Sequence, residues 1–137
     1  MRNKLLHICL QSAAVTAALC ASAAAQPSPA PVGAVCRAAW SANAAGKEFG
    51  FVWVRVNPDD TGDVWTAPGS ALPPDSIPPS PPATARHQNA GRVSHFGSNV
   101  VGVTYQPPSG PPVMLMVDQQ NHMMATTRQK MPIACSP

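Results

Sequence analysis

The chain is short of charge. Of 137 residues only nine are Lys or Arg and six are Asp or Glu. Arg2 and Lys4 lie at the extreme N-terminus, so from Gln26 onward seven basic residues face six acidic ones, a net of +1. A surface so close to neutral has no basic field to hold nucleic acid or an anionic membrane, which disfavours both as partners. Aromatics are also scarce, with three Trp, three Phe and one Tyr. Half of the six carboxylates (Asp59, Asp60 and Asp63) fall in one turn-like stretch, where capping and hydrogen bonding are their ordinary roles. No Cys-x-x-Cys occurs, which removes the usual dithiol redox motif. Beyond the N-terminus no apolar run reaches the ~20 residues of a membrane-crossing helix. No internal repeat, cofactor motif or nucleophile with its base stands out, so the sequence points away from an enzyme.

What is present begins with residues 1–25. Arg2 and Lys4 precede an apolar stretch from Leu5 to Leu19, and Ala23-Ala24-Ala25 stands before Gln26. Positive, apolar and small-residue regions in that order predict a secretory signal peptide cut after Ala25, leaving 112 residues. Cys20 is a weaker candidate for lipidation, because the bulky Leu19 precedes it where a small residue is wanted. Cleavage after Ala25 also removes Cys9 and Cys20, so Cys36 and Cys135 remain.

Two cysteines in an exported chain predict one disulfide, here joining the two ends of the mature protein. The closed loop counts 100 residues, for which chain entropy gives about 4.7 kcal/mol. The expected location is the periplasm or the extracellular space.

Residues 26–33 read as a flexible tether of Pro, Ser and Ala, and residues 34–137 as one β-rich domain. Strands are expected at Val35–Trp40, Phe49–Val56, Val64–Thr66, Arg92–Phe96, Val100–Tyr105, Val113–Val117 and Met123–Arg128. The first is the ambiguous one, since its alanines also suit an N-terminal helix over 35–45 and an α+β fold. Asn57-Pro58-Asp59-Asp60-Thr61-Gly62 is turn chemistry, with Gly62 as the expected left-handed residue. Seven prolines between Pro68 and Pro82 predict a surface loop over 67–83 with polyproline character. Short strands between Gly and Pro turns predict an all-β antiparallel meander of about six strands, closing as a barrel or sandwich.

Period-two reading assigns the faces. Val52, Val54 and Val56 point one way and Phe49, Phe51 and Trp53 the other. Val113, Leu115 and Val117 likewise oppose Met114 and Met116. A strand apolar on both faces is either covered on both sides or carries a binding surface.

Three kinds of site follow. Phe49, Phe51 and Trp53, with Trp65 across the hairpin, make a candidate partner-binding cluster if exposed and a core if covered. His122 and Met124 on one strand, with Met114 and Met116 on its neighbour, make a candidate copper(I) set of imidazole and thioethers; otherwise the methionines fill a small irregular core. Asp118 and His122 flank a short turn where the carboxylate would orient the imidazole as a base. Ser94 is no nucleophile for His95, because neighbours on a strand point apart.

In size, export signal, single disulfide and β meander the chain resembles small envelope inhibitors such as the periplasmic lysozyme inhibitors, which carry a Ser-Gly-x-x-Tyr loop. Here Ser109-Gly110 is followed by Pro111-Pro112 without a Tyr, and Tyr105 lies upstream, so the element that enters the enzyme cleft is missing. The expectation is therefore an exported binding module acting through protein contacts, of inhibitor or immunity type, without a cofactor. A copper-binding envelope protein is the alternative.

Overall fold

The computed structural model describes residues 33–41, 49–108 and 110–137. The signal peptide expected at 1–25, and all of the tether but Gly33, lie outside the described residues. Ten strands occur among the described residues, in place of about six. They are β1 (Val35–Ser41), β2 (Phe49–Val56), β3 (Thr61–Gly69), β4 (Arg86–Arg92), β5 (Ser94–Phe96), β6 (Val100–Tyr105), β7 (Val113–Asp118), β8 (Met123–Ala125), β9 (Lys130–Pro132) and β10 (Ala134–Ser136). The helix alternative over 35–45 fails where it is described, since 35–41 is strand β1.

The strands form two five-stranded antiparallel sheets, ordered β10-β1-β2-β3-β4 and β5-β6-β7-β8-β9. The architecture is a sandwich, and the barrel option is excluded because the two sheets do not join into one. The chain changes sheet at single residues, Val93 between β4 and β5 and Ile133 between β9 and β10. Both corners are buried and β-branched. The Val93 N–H donates to Asp60 O at 2.9 Å and the Ile133 N–H to His122 O at 3.1 Å, so neither corner leaves its backbone donor unpaired. Such one-residue corners explain why the strand expected at Arg92–Phe96 is really the end of one strand and the whole of another.

One core lies between the sheets. The first sheet contributes Cys36, Ala38, Val52, Val54 and Val64, and the second Val101, Val103, Leu115, Val117 and Met124. This matches the inward faces read from period two. Gly62 is buried beneath this core, and a Cβ there would stand 2.8 Å from Val103 Cγ1, so the residue is needed for closeness of the sheets. The left-handed turn residue is instead Asp60, with φ of 66°. Asp63 and Asn89 mark a bulge beside it, where the β3–β4 register shifts between Gly62 and Asp63.

Cys36 and Cys135 are bonded and are also register partners on β1 and β10. The disulfide therefore clips the first strand to the last, rather than to a tail beyond it. Because β10 is only three residues long, the covalent link holds a short edge strand that its own ladder would hold weakly.

Candidate functional surfaces

The two outer faces of the sandwich differ, and that difference organises the possible sites. On the first sheet one cross-strand row runs Arg37–Trp53–Trp65–His87 over β1, β2, β3 and β4. The proline-rich segment crosses this face as a strap. Its single 3-10 turn, Pro74–Ser76, sits over Arg37, whose Nε donates to Pro74 O at 3.0 Å while Nη1 donates to Ser136 Oγ at 2.8 Å. Trp53 Nε1 donates to Pro78 O at 2.8 Å, and Ile77 between them is only 1% exposed. Trp53 itself is 0% exposed.

The expected partner-binding cluster is thus not an open patch. Trp53 lies beneath the strap, and Phe49, Phe51 and Trp65 are half-buried. Phe51 meets Trp53 edge to face at 6.0 Å and lies across Gly69, where a Cβ would stand 2.6 Å from its ring. A loop with few backbone donors makes a good cover for an aromatic face, because little of its main chain needs a partner beneath it.

Beside the strap Trp65 is flanked by two cations or potential cations. The His87 ring stacks on it at 4.9 Å, and the Arg55 guanidinium lies 5.1 Å from the ring centroid. Both side chains converge on the buried Asp63 carboxylate. Arg55 Nη2 donates to Oδ2 at 3.0 Å, and Asn57 Nδ2 donates to the same oxygen at 2.8 Å. His87 Nε2 lies 2.7 Å from Oδ1. An ionised carboxylate only accepts, so His87 carries its proton on Nε2. Burial by itself would raise the Asp63 pKa, but hydrogen bonds from Asn57, His87 and Arg55, with the Arg55 charge, hold it below the usual carboxylate value. Every lone-pair direction used is occupied by a structural donor, and the arrangement locks the β2–β3 hairpin to β4. A second pair, His95 Nε2 to Asp60 Oδ1 at 2.7 Å, ties the same hairpin to β5.

The outer face of the second sheet has no cover among the described residues. Phe96 is 46% and Met114 37% exposed, and Met116, Met123 and Val100 beside them are half-buried. Gly102 makes this surface continuous: a Cβ there would stand 2.7 Å from Phe96 Cε2 and 3.1 Å from Met114 Sδ. The phenyl ring and the thioether therefore both close over the glycine, the ring approaching it through Cε2. Sequence reading placed Met114 and Met116 on this face but missed Phe96 and Gly102. The signal was the pairing of β5 with β6, which no local pattern displays.

The copper set is not assembled. Met124 pairs with Val117 on the core side of the second sheet and is 0% exposed, whereas Met114 and Met116 face outward. The sheet itself separates them. His122 sits exposed in the turn before β8 with φ of 52°. Period two placed His122 and Met124 on one side, but the chain enters β8 only at Met123, so the alternation does not extend back to His122. Among the described residues no group of three or more His, Cys, Asp and Glu lies close enough to hold a metal ion. The Asp118–His122 dyad is not formed either. Asp118 accepts from the Asn121 backbone N–H at 3.1 Å and from Asn121 Nδ2 at 2.7 Å, which closes the turn and lowers its pKa chiefly through the side-chain bond.

Among the described residues no helix is long and apolar enough to cross a membrane. No family model matches this chain, and neither a curated protein nor a solved structure matches it.

Proposed function

We propose that this protein is an exported, disulfide-clasped binding module that contacts another protein through the outer face of its second sheet. The observation that carries the proposal is the asymmetry of the sandwich. One outer face is closed by the chain's own strap, and the other presents Phe96, Met114, Met116 and Met123 without cover among the described residues. Methionine and an exposed phenyl ring make an adaptable apolar surface, suited to side chains of varied shape. The disulfide supports export, because such bonds persist in oxidising compartments.

Size decides what kind of partner fits. Five strands spaced about 4.8 Å apart, six residues long at about 3.4 Å each, cover at most about 490 Å². A stable complex buries about 800 Å² on each side. The face alone is thus too small for a tight dimer of this chain, and it fits an apolar segment of a different protein whose remaining contacts fall on the rim.

A photo-crosslinking residue at Met114, compared with one at Leu72 on the strap, tests this in cells exporting the protein. Leu72 is also exposed and apolar, at 40%, but lies on the other side of the molecule. The expected result is a discrete protein adduct from position 114, absent from position 72 and lost with Phe96→Ser. Equal adducts from both positions, or an adduct of two copies of this chain, overturn the proposal.

A further inference from the structure

The strap suggests a second binding site, on a different face from the one proposed above. A proline-rich chain has lost many of its backbone donors and keeps all its carbonyls, so a surface that recognises it must offer donors set among apolar rings. The row on the first sheet does so. Arg37 Nε and Trp53 Nε1 point at the carbonyls of Pro74 and Pro78, four residues apart on the strap. Between these anchors Ile77 drops into the face and is 1% exposed, while Pro78 and Pro79 remain at the surface.

The backbone is extended on both sides of the 3-10 turn, with φ, ψ of −61°, 148° at Pro73 and −84°, 141° at Ile77. These are polyproline values, but the turn between them engages two strap carbonyls itself: Pro73 O accepts from the Ser76 N–H at 2.9 Å and Pro74 O from the Ile77 N–H at 3.2 Å, so Arg37 shares its carbonyl with the turn. Arg37 is buried, and its two described hydrogen bonds go to neutral oxygens, a strap carbonyl and the Ser136 hydroxyl. The face therefore reads carbonyl geometry and not charge.

We infer that the Arg37–Trp53 row is a docking site for a proline-rich peptide that is extended on either side of one tight turn, filled in cis by residues 72–82 and able to take the same kind of segment from another chain. The cis segment acts as a tethered competitor. A short tether holds it at an effective concentration in the millimolar range, so a free peptide gains access only when the strap is loosened. Partners of this chemistry are exported proteins with exposed Pro-Pro pairs flanking an aliphatic residue.

The experiment uses a fluorescent synthetic peptide of residues 70–84 and three preparations of the disulfide-bonded protein. These are wild type, Ile77→Ser, and a chain cut at a protease site inserted between the exposed Ala83 and Thr84. Anisotropy should show binding below about 1 mM in the loosened preparations and at least about tenfold weaker binding to wild type. Trp53→Phe in a loosened background should weaken binding about tenfold, the loss of one hydrogen bond at a desolvated donor. A peptide with its prolines replaced by alanine should not bind. The inference is overturned if no loosened preparation that keeps its β-sheet signature binds the peptide by about 1 mM. It is equally overturned if the alanine peptide binds as well, or if Trp53→Phe changes nothing. None of these outcomes depends on Phe96 or Met114, so they are separable from the test of the second sheet's face.

Discussion

Replacing Ile77 by alanine asks whether the proline-rich strap is part of the folded body or a spacer resting on it. Ile77 is 1% exposed although it sits in a loop whose other residues are mostly at the surface. Truncating a buried isoleucine to alanine costs about 2–5 kcal/mol, depending on how far the site collapses. Here one wall of the site is a loop that can settle inward, which argues for the lower end, about 2 kcal/mol. For a domain of this size that corresponds to a fall in midpoint of roughly 8 °C. Leu72→Ala is the control, since Leu72 is in the same strap but 40% exposed, and its loss should cost less than about 0.5 kcal/mol.

Urea denaturation followed by tryptophan emission measures both changes. The same samples report on Trp53, whose indole should become wetter and emit further to the red when the strap loosens. Limited proteolysis within residues 78–85 should accelerate for Ile77→Ala alone. If Ile77→Ala and Leu72→Ala are equal, or if proteolysis is unchanged, burial of Ile77 is not what holds the strap.

Removing the disulfide as Cys36→Ser/Cys135→Ser should cost up to about 4.7 kcal/mol in denaturant, and a loss below about 1 kcal/mol would mean that the unfolded chain gains little freedom. Met124→Ala, in the core, should destabilise by about 2–4 kcal/mol, whereas Met114→Ala, on the open face, should stay within about 0.5 kcal/mol. The depressed pKa of Asp63 contributes stability that is fully present above its unfolded value of 3.8 and is lost as pH falls through that value toward the folded one. Asp63→Asn should therefore flatten the acid limb of a stability profile below about pH 4, and an unaltered limb would assign acid loss to other groups. Gly102→Ala should displace the Phe96 ring, because the added Cβ would lie 2.7 Å from it, and so reduce the Met114 adduct with little change in midpoint.

Much of the fold was legible from residues alone. β2 and β7 were visible because β-branched and aromatic runs between turn residues have few other conformations open to them. β4 was not, since Arg86–Arg92 has no apolar alternation; it is an edge strand with a largely solvated surface. β9 and β10 were missed because three-residue strands carry no period, and their pairing depends on partners far along the chain. The polar cluster around Asp63 was legible only as turn chemistry. Its partners Arg55 and His87 come from two other strands, joined by register rather than by sequence proximity.

The clearest division lies between β2 and β7. Each strand is apolar on both sides, and from that pattern alone a second covered face and an open binding face are indistinguishable. Composition, alternation and the placing of Cys36 and Cys135 determined that the chain is sheet-built, which side chains turn inward, and which thiols pair. Only the tertiary structure decided that the strap lies over Trp53 and that nothing described lies over Met114. Local preferences act over a few residues, whereas cover for a sheet face comes from a segment 25 residues away, Pro78 over Trp53, whose route is set by the register of the strands between.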